Sequence, residues 1–196
     1  MAVSSQNDEQ AADGMRIWIL GEGASDRALC LSSGRGWMHI EKKLETMGLV
    51  LPPEVTSAPG SSPPHYIRVR NGIAYLSGQG ARTVSGSSAG PFGKVPSEVS
   101  IEAARESAKG CALALLGTLQ REIGDLDRIS AWLSVMAMVN ADPGFDRTSA
   151  VTNGFSEFIL ELFGEEIGHH ARVSPGMAAL PGNACVVIGA TVEIDG

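Results

Sequence analysis

Arg172 and Ser174 are two positions apart in a run that reads as a β-strand, and they are the side chains best suited to chemistry. Side chains alternate along a strand, so both point the same way. A guanidinium is a two-pronged donor for a carboxylate or a phosphate. An arginine at a sheet edge can equally serve a salt bridge, so this residue alone does not decide between the two. A second candidate is Ser77-Gly78-Gln79-Gly80, where a strand ends in glycine. Bare backbone N–H groups there could meet a carboxylate closely, or the glycines could simply mark the strand's end. His169 and His170 are adjacent, so their side chains diverge along a strand. With no third ligand nearby in sequence, they do not make a metal site. Gly21-Glu22-Gly23 lacks the βαβ surroundings of a phosphate loop. Anion binding without a metal or an organic cofactor is the chemistry to expect.

These residues need a sheet to hold them. Residues 168–193 read as two strands joined by a tight turn at Leu180-Pro181-Gly182-Asn183, and the second, from Ala184 to Ile194, is apolar nearly throughout. The sharpest local signal lies earlier. Tyr66 to Arg70 and Ile73 to Ser77 flank Asn71-Gly72, the preferred two-residue hairpin turn. Ser97 to Gly124 is the longest expected helix, with Ile101, Ala104, Ala108, Cys111, Leu115 and Leu119 on one stripe and Ser100 as N-cap. Gly110 and Gly117 within it suggest close approach to a sheet. Ile129, Ala131, Leu133, Val135 and Ala137 alternate as one face of a strand. Asp142-Pro143 then opens a second helix with a stripe of Val151, Phe155, Phe158, Ile159 and Leu162, closed by Gly164. Asn153 sits in this helix off the stripe. A short amphipathic helix from His39 to Met47 and a proline-rich surface loop precede the hairpin.

The resulting order is β-β-α-β-α-β-β, an α+β fold with two helices on one face of a mixed sheet. Its strands are too apolar for the other face to be wet, and oligomerisation through the sheet covers it. Residues 1–37 lack a hydrophobic period and read as a poorly ordered extension before a domain spanning 38–196. The 196 residues suffice for one domain with a real core. A net charge of −7 without a basic stripe argues against nucleic-acid binding. No apolar run reaches the length of a membrane span. Cys30, Cys111 and Cys185 fit neither a disulfide framework nor a metal spacing, which points to a reducing, cytoplasmic setting.

Several pieces together resemble the Rid family (reactive intermediate deaminase, also YjgF/YER057c/UK114, formerly endoribonuclease L-PSP). They are Asn71-Gly-Ile-Ala-Tyr-Leu-Ser-Gly-Gln79, Gly124-Asp-Leu-Asp-Arg-Ile129, Phe163-Gly164, and Ala171-Arg172 with Leu180-Pro181 nine positions beyond Ala171. The resemblance spans about residues 38–196 and looks like a divergent branch. It implies a chorismate-mutase-like fold, a homotrimer with inward-facing sheets, and clefts between subunits. The implied activity clears reactive metabolites, hydrolysing enamines and imines of amino acids to 2-keto acids and ammonia without a cofactor. It implies that Arg172 holds the substrate carboxylate, that the Gly78 N–H supports it, and that Ser174 lines the pocket. Tyr66 or His65 would close the cleft, and Asn153 matches an asparagine the family often carries. One departure stands out. The family's water-positioning glutamate falls, counting without gaps, on Val187. Glu193, six residues along the strand and therefore about 20 Å away, is too far to replace it. The Ser174 hydroxyl could hold the water, as a weaker base. A non-catalytic carboxylate-binding trimer is the alternative, and a ribonuclease or translation inhibitor fits the acidic charge least.

Overall fold

The computed structural model describes residues 39–54 and 65–195. The expected N-terminal extension lies outside the described residues, as do Cys30 and most of the proline-rich loop. The Asn71-Gly72 turn forms as anticipated, with φ of 51° and 74° at the two residues. It folds β1 (Ile67–Arg70) back on β2 (Ile73–Gln79), with Arg70 opposite Ile73. Twisted strands favour this turn because its backbone twist matches theirs.

A short helix, α1 (His39–Thr46), buries Ile40 and Leu44, and its first N–H groups are capped by the Asp127 carboxylate. The long helix α2 (Ile101–Ile123) buries the expected stripe from Ala104 to Leu119, leaves Ile101 partly buried, and is capped by Ser100, whose hydroxyl accepts from Ala103 N at 3.1 Å. It starts at Ile101 rather than Ser97 because the preceding residues form a turn. There Ser97 N donates to Asp142, and Glu98 N and Val99 N donate to Lys94 O. Gly117 does allow a close approach, but to the Pro52 carbonyl rather than to the sheet.

β3 (Ile129–Asn140) departs from the single alternating face expected of it. Its pairing with β6 (Val186–Ile194) slips between Ile129 and Ala131 and again between Trp132 and Ser134. Each irregularity changes which residue points inward. Trp132 is therefore buried, edge-on to Phe155 and Phe163, while Leu133 is 40% exposed.

The second large helix, α3 (Thr148–Gly168), begins later than Asp142 because the Asp142 side chain is bound to Ser97 N and its carbonyl closes a turn with Phe145 N. Gly164 interrupts the helix at φ 79°, as a stop signal should, but one further turn carries it to Gly168. The helices α2 and α3 meet at Gly154, where an added Cβ would lie 2.2 Å from Arg105 O.

The two strands expected between residues 168 and 193 do not pair with each other as a hairpin. β4 (Ala171–Val173) runs parallel to β3, with Val135 opposite Arg172, and β6 runs antiparallel to β3 on its other side. α3 is the crossover that a parallel pair requires. β5 (Gly176–Met177) extends the same edge, and Gly182 and Asn183 turn the chain at φ 63° and 55°. The sheet order is β1-β2-β6-β3-β4. The core lies between this sheet and α2 and α3. The other sheet face leaves Tyr75, Met136 and Val173 each more than half exposed. No helix among the described residues is long and apolar enough to cross a membrane.

Candidate functional site

Val135, the partner of Arg172 across the β3–β4 ladder, is buried beneath the helices, so Arg172 also points to the helical side. The sheet edge leaves it half-buried against α3. Its Nη2 donates to Asn153 Oδ1 at 2.9 Å and its Nη1 to Ser156 Oγ at 2.8 Å. Both partners are neutral. Among the described residues no carboxylate forms an ion pair with Arg172. Partial burial lowers its pKa, and Glu157 acts in the opposite direction from a distance. The Glu157 carboxylate itself is bonded to Arg105. A cation held by an amide and a hydroxyl, with no counter-charge in contact, is a ready site for an anion.

Ser174 shares this face, as the strand period requires, but its hydroxyl is 2.8 Å from Thr152 Oγ1 and not on the guanidinium. Its carbonyl accepts from Thr148 Oγ1 at 2.8 Å. Ser156, not singled out by sequence, and His170, weighed there only as a metal ligand, complete the cluster. His170 Nε2 lies 2.8 Å from Ser156 Oγ, and His170 Nδ1 lies 2.7 Å from Gly168 O. His169 turns away to Glu165, at 2.7 Å, so the two histidines diverge as expected. Burial holds the His170 pKa below its usual value, and the charges of Arg172 and His169 push the same way, against the Gly168 hydrogen bond. Two spacings could have revealed the cluster. His170, Arg172 and Ser174 alternate, while Ser149, Thr152, Asn153 and Ser156 fall on one helical stripe.

The other predicted residues lie elsewhere. Gly78 is exposed, in a bulge between Leu76 and Gln79, and a Cβ on it would meet Val187 Cγ1 at 2.9 Å and Met138 Cε at 3.3 Å. Val187 pairs with Met138, one step out of phase with the buried Val186–Val139 pair, and so belongs to the face away from the helices. Tyr66 is tied beside this bulge by Ser77 N, which donates to Tyr66 O at 3.0 Å. Tyr66 is half-buried and His65 exposed. β6 and β3 separate β2 from β4, and Gly78 and Arg172 serve opposite sheet faces. One chain therefore brings Arg172 and Asn153 together and keeps Gly78, Tyr66 and His65 apart from them.

Glu41, Asp125 and Asp127 form the one acidic group of metal-binding spacing among the described residues. Asp127, Glu41 Oε1 and Asp125 Oδ1 already accept from backbone N–H groups of α1, Leu126 and Asp127, while Glu41 Oε2 is buried without a hydrogen-bond partner.

No protein-family model matches the chain. Over 167 residues, 84% of this chain and 98% of the relative, it is 34% identical to Protein TCP17 of Trypanosoma cruzi. The crystal structure of Atu1372 from Agrobacterium tumefaciens, a protein of unknown function, matches with a TM-score of 0.71 and 33% identity, covering 81% of this chain and 94% of that one. A Shewanella oneidensis MR-1 structure with an endoribonuclease designation has a TM-score of 0.70 at 22% identity, over 79% of this chain and 99% of that one. The architecture is the chorismate-mutase-like α+β fold. The chain belongs to the YjgF/L-PSP/RidA family.

Proposed function

We propose that this protein hydrolyses small 2-imino and 2-enamine acids to 2-keto acids and ammonia, with Arg172 gripping the substrate carboxylate. The observation that carries the reading is the half-buried guanidinium held by Asn153 and Ser156 with no ion-pair partner. The chemistry asks little more than this of the protein: an anion held, a C=N bond polarised and a water placed beside it. No metal or organic cofactor enters the reaction as written.

The Gly78 N–H and Tyr66 or His65 belong to the same reading only if a neighbouring copy supplies them, since one chain keeps them away from Arg172. A homotrimer joined through the exposed sheet face would place such clefts between subunits. A second reading, a non-catalytic carboxylate-binding protein, is favoured by Val187 at the glutamate position, because an apolar side chain cannot activate water.

The test generates imines in situ with an amino-acid oxidase and traps what survives with semicarbazide. Wild type is expected to suppress semicarbazone formation and Arg172→Ala is not. Failure of both across several amino acids, with 2-keto acids still raising the melting temperature of wild type, would select the binding reading.

A further inference from the structure

The Val187 departure leaves the proposed reaction without a carboxylate base, Ser174 Oγ is engaged with Thr152 Oγ1, and the cluster around Arg172 contains an imidazole. We propose that Ser156 and His170 form a proton relay that activates the hydrolytic water beside the Arg172 anion site, in place of the missing carboxylate. This rests on the deaminase reading given above.

The hydrogen bonds define the direction of the relay. The Gly168 carbonyl can only accept, so Nδ1 of His170 carries a proton. In the neutral ring Nε2 is then an acceptor, and the donor it meets at 2.8 Å is the Ser156 hydroxyl. Ser156 Oγ also takes an N–H from Arg172 at 2.8 Å. A hydroxyl has one donor and two acceptor sites. His170 uses the donor, Arg172 uses one acceptor, and the second acceptor is left for a water O–H. Ser156 is half-buried, within reach of solvent. A carboxylate on the guanidinium sets the imine carbon one bond further on, next to that water.

Proton and electron movements then balance. As the water oxygen bonds to the imine carbon, one water proton passes to Ser156 Oγ and the serine proton passes to His170 Nε2. The π electrons of the protonated C=N bond move to nitrogen, which leaves a neutral carbinolamine and an imidazolium. The imidazolium returns its proton through Ser156 to that nitrogen. The C–N bond then breaks with its electrons on departing ammonia, the carbonyl forms, and ammonia takes the hydroxyl proton.

The surroundings keep the ring neutral and oriented. Phe155 packs edge-on to His170 at 5.8 Å between ring centroids. The charged or titratable groups facing it are Arg172 from β4 and the adjacent His169, which is bonded to Glu165. Partial burial opposes a positive charge on the ring most strongly, and the Arg172 cation acts in the same direction. Protonated, His170 would donate to Ser156, and the relay would run backwards. Activity should therefore be full above the His170 pKa and fall as pH drops through it, at a pH lower than an ordinary imidazole would give.

The test measures kcat and KM against pH for wild type, His170→Gln, Ser156→Ala and Ser156→Thr, with the 2-ketobutyrate-induced rise in melting temperature as a check on folding and anion binding. His170→Gln and Ser156→Ala are expected to lose about 100-fold in kcat, the low end of the usual range for general acid–base catalysis. His170→Gln should also lose the acidic limb, Ser156→Thr should recover part of the rate, and the 2-ketobutyrate response should persist in all three. A His170→Gln protein with wild-type kcat and pH profile overturns the relay alone. Loss of 2-ketobutyrate binding together with rate in both variants also overturns it, since the pair would then only position Arg172. A wild type that does not accelerate imine hydrolysis overturns the deaminase reading, and the relay falls with it.

Discussion

The two edges of the sheet are built on opposite principles. At the β4 edge a cation is held by polar side chains, each with a named partner, on the side that α3 covers. Toward the β1–β2 edge, the bulge at Gly78 meets Val187 and Met138, on a face that also exposes Tyr75 and Met136. The hydrogen bonds of the first edge are all made within one chain. The second leaves large apolar side chains in water, which is costly unless another surface covers them. The proposed anion site and the proposed assembly surface thus lie on different faces, and each can be broken without the other.

Arg172→Ala should have the largest effect on function. Two charge-assisted hydrogen bonds to a carboxylate are worth roughly 3–5 kcal/mol together, so kcat/KM should fall by about a hundred- to several-thousand-fold. Sedimentation should show the same association state as wild type, because the side chain lies on the helical side. Met136→Asp makes the reverse cut. A charge placed beside Val173, on the face that also exposes Tyr75, should leave the proposed oligomer as folded monomers, read by light scattering and circular dichroism. If the cleft is shared between copies, activity should fall with it although the Arg172 cluster is intact. Full activity in such monomers would show that one chain suffices.

Gly78→Ala is a finer probe of the apolar edge. Its Cβ would press on Val187 Cγ1 at 2.9 Å, and overpacking of this kind costs about 1–3 kcal/mol. Val187→Ala should relieve the clash. In a double-mutant cycle of urea stabilities, the pair should then be coupled by about 1 kcal/mol. Independent effects would mean that the bulge opens instead and that the two residues do not pack.

Elements carried by local chemistry were readable from the sequence. Asn71-Gly72 admits few other turns, and Ser100 with the stripe beyond it defines a helix start. Long-range pairing was less accessible. The alternation through β3 looked unbroken, yet two irregularities in its register put Trp132 inside and Leu133 outside. No local pattern says where a partner strand will slip. Asp142-Pro143 carried a valid cap signal, but the Asp142 carboxylate was taken by Ser97, 45 positions earlier. The site follows the same division. Arg172 was conspicuous as a lone cation with a strand period, and its partnership with Asn153 was not. Ser156 was not marked because serines on a helix usually mean solvent contact, and His170 was weighed only as a metal ligand.

The smallest expected effect tests how the guanidinium is aimed. Asn153→Ala removes the acceptor at 2.9 Å but leaves Ser156 to hold the other nitrogen. One hydrogen bond to a charged group contributes about 1.5–3 kcal/mol, and water reaching this half-buried position offsets much of it. KM should therefore rise about five- to ten-fold while kcat changes less than about two-fold, because the relay through Ser156 survives. Asn153→Asp separates aim from charge, since it keeps the acceptor and adds a counter-ion. If a neutral tether is what leaves Arg172 open to anions, the aspartate variant should bind 2-ketobutyrate more weakly than the alanine variant does. Tighter binding in the aspartate variant would mean that Asn153 only orients the side chain and that a counter-charge does not close the site.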